Sequence, residues 1–461
     1  MINLNDNFYK MKYKKYKNKY ITIKNQYGGA VNTYGSTLDV ADVTIDKDYT
    51  TLGNIKNTKN LTTLIFRSNK ITNNGAIDIV NFIEKLTKLT EFNFSYNGID
   101  DEVIEKIVES LKNLNTLKHF TFSEGNISSA DFVALASSFK SMSGLIHLNL
   151  SNNNIDKDVA IALANSFEQM PNLTNLNFSK NYIDSEGASS LAKSFKNMHN
   201  LTSLDLSIND FGSEGASSLA EGFKNMSKLT NLNLSSNNFG SKGAIALVPG
   251  FTHTSTLQTL NLSSNDFGNK GTIALAEGFT NMSTLQNLSL SNNSIDNDGA
   301  ITLARSFHNI SDLKYLSLNH NTIGNNGASA LANSFKHIKQ LTELDLGGNN
   351  IGNNGAIALA DSLKYILQLK HLRLHNNKIS DKGAIKLVNS FPNNNKYNTL
   401  DLSFNYISNK SESTLTQTVI NKYQLYITNQ KKQENSQICI PNVNGSHTTI
   451  AECESNDDTN T

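Results

Sequence analysis

The sequence of 461 residues predicts an α/β solenoid of stacked strand–helix units, and three observations carry that prediction. First, one pattern recurs at a fixed step of 28 residues. Leu61, Leu89, Leu117, Leu145, Leu173, Leu201, Leu229, Leu257, Leu285, Leu313, Leu341, Leu369 and Tyr397 hold its leading place without insertion or deletion, which makes 13 units over residues 61–424. Second, each unit has two halves of different period. In the stretch 201–228, Leu201, Leu204, Leu206 and Phe211 fall at offsets 0, 3, 5 and 10, as in a strand and its turn, with Asn209 at offset 8. Ala216, Leu219, Ala220 and Phe223 then recur at i, i+3, i+4 and i+7, the period of one helical face. Third, neither half can bury its apolar side alone, so each unit must pack on a copy of itself.

Taken in order, the chain opens with a basic Lys/Tyr leader, residues 1–32. Tyr9, Tyr13, Tyr16 and Tyr20 share one helical face among six lysines, and Gly28 and Gly29 end the pattern. The leader reads either as a segment for a membrane surface, a nucleic acid or targeting, or as a solvated tail. Residues 1–24 hold seven lysines and one acid, Asp6, against a net charge of +1 for the whole chain, so the repeats are mildly acidic and disfavour polyanions. Residues 33–60 keep a worn copy of the unit (Leu38, Val40, Val43, then Leu52, Ile55), expected as an N-terminal cap. Residues 425–461 are expected to add a closing strand around Tyr423, Leu425 and Ile427 and then a polar, disordered tail. The two cysteines, Cys439 and Cys453, lie in that tail and cannot staple the repeats, which favours a reducing, intracellular setting. No apolar run reaches the length of a membrane span, and no secretory signal follows the basic start.

Within the units, offset 12 is expected to cap the helix N-terminus. It is Asn73, Asp101, Ser129, Ser185, Ser213, Ser241, Asn269, Asn297, Asn325, Asn353, Asp381 or Asn409, with Lys157 as the exception. Glycine two residues later, as in Gly187 and Gly355, is expected to let the helix start lie close to its neighbour. Phe139, Phe167, Phe195, Phe223, Phe251, Phe279, Phe307 and Phe335 share offset 22 and read as a buried spine rather than a cofactor box, with Met142, Met170, Met198, Met226 and Met282 filling gaps.

The pattern LxxLxLxxNxI followed by GAxxLAxxF resembles the leucine-rich repeat family, in its ribonuclease-inhibitor-like class. The resemblance covers about four fifths of the chain. It implies a horseshoe with parallel strands on the concave face and helices on the convex face. It also implies a structural asparagine ladder at Asn69, Asn97, Asn153, Asn181, Asn209, Asn237, Asn265, Asn293, Asn321, Asn349, Asn377 and Asn405. Gly125 breaks the ladder in unit 3, where local irregularity is expected, with Asn126 adjacent. Curvature also follows from lengths, because strands lie about 4.8 Å apart and packed helices about 8–10 Å. The leader, ending in KNQYGG, resembles leaders of giant DNA virus proteins, which implies action in an infected host cell or packaging in virions.

No catalytic constellation is present. The GNNGA runs lack the lysine of a phosphate loop, and the stretch from Asp296 to Gly299 lacks the glutamate that closes a calcium loop. The sequence therefore calls for no enzyme, no cofactor, no metal and no small-molecule substrate, but for a monomeric scaffold that binds a protein partner on its concave face. The alternatives are a regulator of a small GTPase, which the resemblance suggests, and a module tethered to nucleic acid or membrane by the leader. Offsets 2, 4 and 6 point onto the strand face. In the middle they are small and neutral, such as Asn175, Ser203, Asn231 and Thr259. The ends differ. Candidate partner-binding residues are Tyr315, His320, Glu343, Asp345, His371, Arg373 and His375 near the C-terminus, and Arg67, Glu91, Tyr96, His119 and His147 near the N-terminus. The C-terminal set also reads as paired ladders, with Asp345 beside Arg373 and Glu343 beside His371. Glu91, His119 and His147 share offset 2 on consecutive strands and read as a surface ladder rather than a zinc site.

Overall fold

The structure, a computed structural model, describes residues 30–41, 44–45, 58–71, 73–97, 101–125, 127–392, 397–419 and 422–428. The basic leader up to Gly29, Val43, Leu52, Ile55, Asn126 and both cysteines lie outside them. Each unit supplies one short strand and one helix, so the described residues contain thirteen helices from Asn73–Ile83 to Asn409–Thr418. Sixteen of the described strands form one open sheet in chain order, and the short strands Thr44–Ile45 and Lys70–Ile71 pair in a separate two-stranded sheet. All pair in parallel except the first, Ala30–Tyr34, which makes an antiparallel hairpin with Thr37–Ala41. Register is constant: Ser203 faces Asn231, Leu204 faces Leu232 and Asp205 faces Asn233. The last strand, Gln424–Tyr426, pairs with Thr399–Asp401. Strands line the concave side and helices the convex side of this α/β horseshoe.

The core is the sum of the apolar offsets. Leu201, Leu204, Leu206, Phe211, Ala216, Leu219 and Phe223 are all buried, and so are their described equivalents through unit 12; in the last unit the leading residue, Tyr397, is 65% exposed and the sequence pattern fails there. The offset-22 phenylalanines from Phe139 to Phe335 are fully buried, and the rings of Phe223 and Phe251 stack with centroids 6.5 Å apart. Near the N-terminus a second aromatic column, Phe66, Phe94 and Phe122, stacks at 5.8 and 6.1 Å.

A side-chain ladder ties each strand exit to the next. Asn265 donates through Nδ2 to the carbonyls of Leu234, Leu262 and Ser263 at 3.0–3.1 Å, and its Oδ1 accepts the N–H of Asn237 at 2.9 Å. Asn153, Asn181, Asn293, Asn321, Asn349, Asn377 and Asn405 repeat the donation to the preceding unit. Asn97 does so to Phe66, and Asn69 carries it back to Val40. Asn209 is only half-buried, and Asn237 Oδ1 is buried without a partner among the described residues. At the gap in unit 3, Gly125 still donates its N–H to Asn153 Oδ1, and the Phe122 ring lies where a side chain on Gly125 would stand.

The helix caps differ from expectation by one residue. In several units the N-cap is at offset 11, where Ser128, Asp156, Asp184 and Ser408 accept N–H groups of their own first turn. In units 6 to 8 offset 11 is Gly212, Gly240 or Gly268, the helix starts there, and the N-caps Phe211, Phe239 and Phe267 make no side-chain cap. In units 10 and 11 the capping place holds glycine, and the offset-12 residue of the preceding unit does the work. Asn297 Oδ1 accepts from Gly324 and Gly327, and Asn325 Oδ1 accepts from Gly352 and Gly355. Asn353 does the same for Ser380 and Gly383. The offset-12 side chain thus caps its neighbour, joining adjacent units by a second ladder on the helix side. The glycine at offset 14 makes this closeness possible: a Cβ on Gly187 would lie 2.6 Å from Ile183 Cγ2 and 3.1 Å from Ala160 Cβ. At offset 21, buried serines such as Ser138 and Ser194 bond the carbonyl three residues back. Three central units hold Gly222, Gly250 and Gly278 there instead. Two of these bring helices together, since a Cβ on Gly250 would lie 2.7 Å from the Ala220 backbone and one on Gly222 3.1 Å from that of Ala192.

Candidate functional site

Three-residue strands with a buried middle residue leave offsets 2 and 4 on the concave face. Just beyond, offset 7 adopts the left-handed conformation in unit after unit, from Ser68 through Tyr96, Glu124, Lys180, Ile208 and His320 to Phe404. Such φ values are unfavourable for β-branched and bulky side chains, yet they turn each residue outward along one rim. Tyr96, Ile208 and Phe404 are accordingly exposed.

The centre of the face is satisfied from within. Ser207, Ser235 and Ser263 hydroxyls bond Asp205, Asn233 and Asn261 on their own strands. Ser263, Ser289, Ser291 and Ser317 then continue as a chain of hydroxyl contacts of 2.7–3.2 Å across three units.

At the N-terminal end Glu91, His119 and His147 stand in register on adjacent strands. The two imidazoles lie 5.9 Å apart, tilted by 33°. Burial, and then the charge on His119, hold the His147 imidazole below its ordinary pKa. Glu91 accepts the Thr63 hydroxyl at 3.4 Å, Arg67 pairs with Asp39 at 3.7 Å, and Glu124 takes the amide of Asn152.

At the C-terminal end the register sets Glu343 against His371 and Asp345 against Arg373. The ion pair runs diagonally instead, from Arg373 Nη1 to Glu343 Oε2 at 3.5 Å. Asp345 is buried; it accepts the Asn319 amide and the Gly347 N–H, each at 3.0 Å, so it forms floor rather than contact surface. His371 bonds Thr399 Oγ1 at 2.8 Å. The floor continues as Gly347–Gly348, and both glycines are needed. The His375 ring lies against Gly347 and the His320 ring against Gly348, each too close for a Cβ there, and Gly348 has φ +63°. His375 Nδ1 sits 3.4 Å from Asp401 Oδ2, near enough for an ion pair but out of line for a hydrogen bond. Asp401, and secondarily Asp345, raise the His375 imidazole above its ordinary pKa against the effect of burial. Burial pushes the Asp401 carboxyl up, but His375 and the Ser403 N–H outweigh it and hold it below the carboxylate range. Burial also raises the Tyr315 phenol.

The structure thus brings Tyr315, Glu343, Asp345, His371, Arg373 and His375 together, with His320 on the rim beside them. Arg67, Glu91, Tyr96, His119 and His147 lie at the other end of the sheet. Asp401, Phe404 and Tyr426 extend the C-terminal set although the sequence did not single them out; the period itself puts Asp401 at offset 4. Among the described residues no group of three His, Cys, Asp or Glu side chains is placed to hold a metal ion. A separate shallow cleft of about 520 Å³ runs along the strand starts between Lys118 and Lys228, past Gly144, Thr174 and Thr202. Among the described residues no helix is long and apolar enough to cross a membrane.

The sequence profile described as Leucine Rich repeat matches ten segments: 58–80, 85–108, 169–192, 197–220, 225–248, 253–276, 281–304, 309–332, 338–360 and 368–388. The unmatched interval includes unit 3, where Gly125 replaces the ladder asparagine. No curated protein matches the sequence. Among solved structures, a leucine-rich repeat protein of Leptospira interrogans is similar at 20% identity and TM-score 0.51, over 80% of this chain and 90% of that one. An internalin of Listeria monocytogenes is similar at 19% identity and TM-score 0.46, over 76% of this chain and 83% of that one. TLR13, solved as a complex with single-stranded RNA, is similar at 20% identity and TM-score 0.45, over 86% of this chain and 59% of that one.

Proposed function

Since the chain belongs to the leucine-rich repeat family, whose members commonly bind protein partners, we propose that it is a non-enzymatic, monomeric scaffold gripping one protein partner on its concave face. One observation carries this reading: the ends of the face bear Tyr, His, Arg and carboxylate side chains, while the centre is a lattice of small groups that bond each other. Tyr and Arg supply interface energy out of proportion to their number, and a rigid curved sheet holds them at fixed spacing. The partner contacts are Tyr315, His320, Glu343, His371, Arg373 and His375 at one end and Arg67, Glu91, Tyr96, His119 and His147 at the other, with Asp345 beneath the first set. The 28-residue unit fits the ribonuclease-inhibitor-like class, and an intracellular setting in a virus-infected cell suits the leader; both belong to this proposal.

The test is site-specific photocrosslinking in the native cell. Crosslinkers at His371 and His119 are expected to capture the same protein, and one at the convex, exposed Lys193 is not. Equal capture from both faces, or none from the concave face, refutes the reading. A GTPase turnover assay with purified protein separates it from the GTPase-regulator alternative.

A further inference from the structure

The charge of the concave face is lopsided. Among the described residues, offsets 2, 4 and 6 of the strands hold no lysine, in a chain with 41 lysines and arginines. Acids there (Asp39, Glu91, Asp205, Glu343, Asp345, Asp401) outnumber the arginines, Arg67 and Arg373. The surplus is not spread evenly. At the C-terminal end, Asp345, Arg373, Asp401 and Tyr426 stand side by side on four adjacent strands. Arg373 turns to Glu343 and not to Asp401. Asp401 accepts the Ser403 N–H through Oδ1 at 3.0 Å, and its Oδ2 lies 3.4 Å from His375 Nδ1 at the edge of the face. Its register neighbour Tyr426 is half exposed, and Phe404, three residues on, is 45% exposed. A carboxylate oxygen beside an uncovered aromatic ring is the pairing that a guanidinium fits: its N–H fork meets the carboxylate while its flat face lies on the ring.

We propose that the C-terminal end of the concave face docks a basic, arginine-bearing segment of the protein partner, with one guanidinium seated between Asp401 and Tyr426. This rests on the scaffold reading and names the chemistry of its partner. A nucleic acid is the wrong occupant, because its phosphates would meet the carboxylates of Asp401 and Glu343. A lysine-bearing segment is second best, since an ammonium matches the charge but not the fork and plane.

The test is fluorescence anisotropy on the full chain with labelled peptides of about twelve residues, alternating Arg and Ser, Lys and Ser, or Glu and Ser, and with a single-stranded oligonucleotide. The arginine peptide is expected to bind saturably, several-fold tighter than the lysine peptide, and to weaken about tenfold between roughly 50 and 300 mM salt. The glutamate peptide and the oligonucleotide are expected not to bind. Asp401→Asn keeps an acceptor for the Ser403 N–H and should weaken the arginine peptide about tenfold. Tyr426→Ala, on an exposed ring, should weaken it about fivefold and erase the preference over lysine. No saturable binding, binding indifferent to both substitutions, or preference for the oligonucleotide overturns the proposal. The crosslinking experiment is independent. A concave-face partner whose captured segment lacks arginine sinks this inference and leaves the scaffold reading standing.

Discussion

Replacing Asn265 by alanine tests whether the asparagine ladder, rather than apolar burial alone, holds neighbouring units in register. Asn265 is 1% exposed and its side chain makes four hydrogen bonds. Their losses are unequal. The Leu234 carbonyl keeps the amide of Asn237, and the Leu262 carbonyl keeps that of Asn293. The buried N–H of Asn237 has Asn265 Oδ1 as its acceptor and loses it. An orphaned buried donor costs about 1–3 kcal/mol, and each lost net bond about 0.5–1.5 kcal/mol. The sum is about 3–4 kcal/mol, centred on the contact between units 7 and 8. Repeat arrays need not unfold in one step, so the assay is hydrogen exchange under native conditions, read by mass spectrometry on peptides from each unit. Protection is expected to fall by two orders of magnitude or more in units 7 and 8 and to recover toward both ends, since each unit touches only its neighbours. The control is Asn281→Ala at an exposed position, expected within about 0.5 kcal/mol of the parent. Equal losses for the two variants, or protection lost uniformly along the chain, would refute the reasoning.

Phe223→Ala should cost about 3–5 kcal/mol, because it empties a fully buried site stacked on Phe251; a melting temperature unchanged within about a degree contradicts this. Ile208→Asn should stabilise by about 1 kcal/mol, since a β-branched residue holds φ +57° on an exposed rim and asparagine tolerates that conformation better; urea unfolding showing a loss would count against strain at offset 7. The His375–Asp401 pair should stabilise within a window. His375, raised in the fold, contributes below its unfolded pKa and loses that contribution as pH rises through the folded value. Asp401, lowered, contributes above its unfolded pKa and loses that as pH falls through the folded value. The pair therefore helps most between roughly pH 4 and 6.5. His147 acts oppositely: its lowered pKa removes stability as pH falls below the unfolded value. NMR titration of the two imidazoles should give a midpoint for His375 above that of His147, and the reverse order would show these environments to be wrong.

Much of the fold was legible because a period of 28 residues repeats every constraint thirteen times, so alternation and helical spacing did not rest on any one segment. The caps were misread for a reason inherent in that period. A side chain at offset 12 lies as near to the first turn of the next unit as to its own, and identical spacing in sequence does not say which N–H groups it will reach. Asn297 reaches Gly324 and Gly327, one unit on. The left-handed rim carried only a partial signal: Asn152, Asn292, Asn376 and Gly348 suit that backbone, but Tyr96, Lys180, Ile208 and Phe404 hold the same place. At the candidate site, column membership was readable, but pairing was not. Arg373 chose the diagonal Glu343 over the adjacent Asp345 because Asn319 and Gly347 already occupy Asp345. The Gly347–Gly348 seat for two histidines from neighbouring units required seeing three units at once.

The glycines at offset 21 give the horseshoe an adjustable span. At Gly222 and Gly250 a side chain would collide with the backbone of the preceding helix, so a larger residue there must push the helix ends apart, widening the wedge between strand spacing and helix spacing and tightening the arc locally. The distance between the two decorated ends of the concave face is then governed by a column of small residues on the far side of the protein. Swapping glycine for serine there would draw the ends together, and the reverse would spread them, without altering a single contact residue. The scaffold works as a calliper whose opening and jaws can be changed independently.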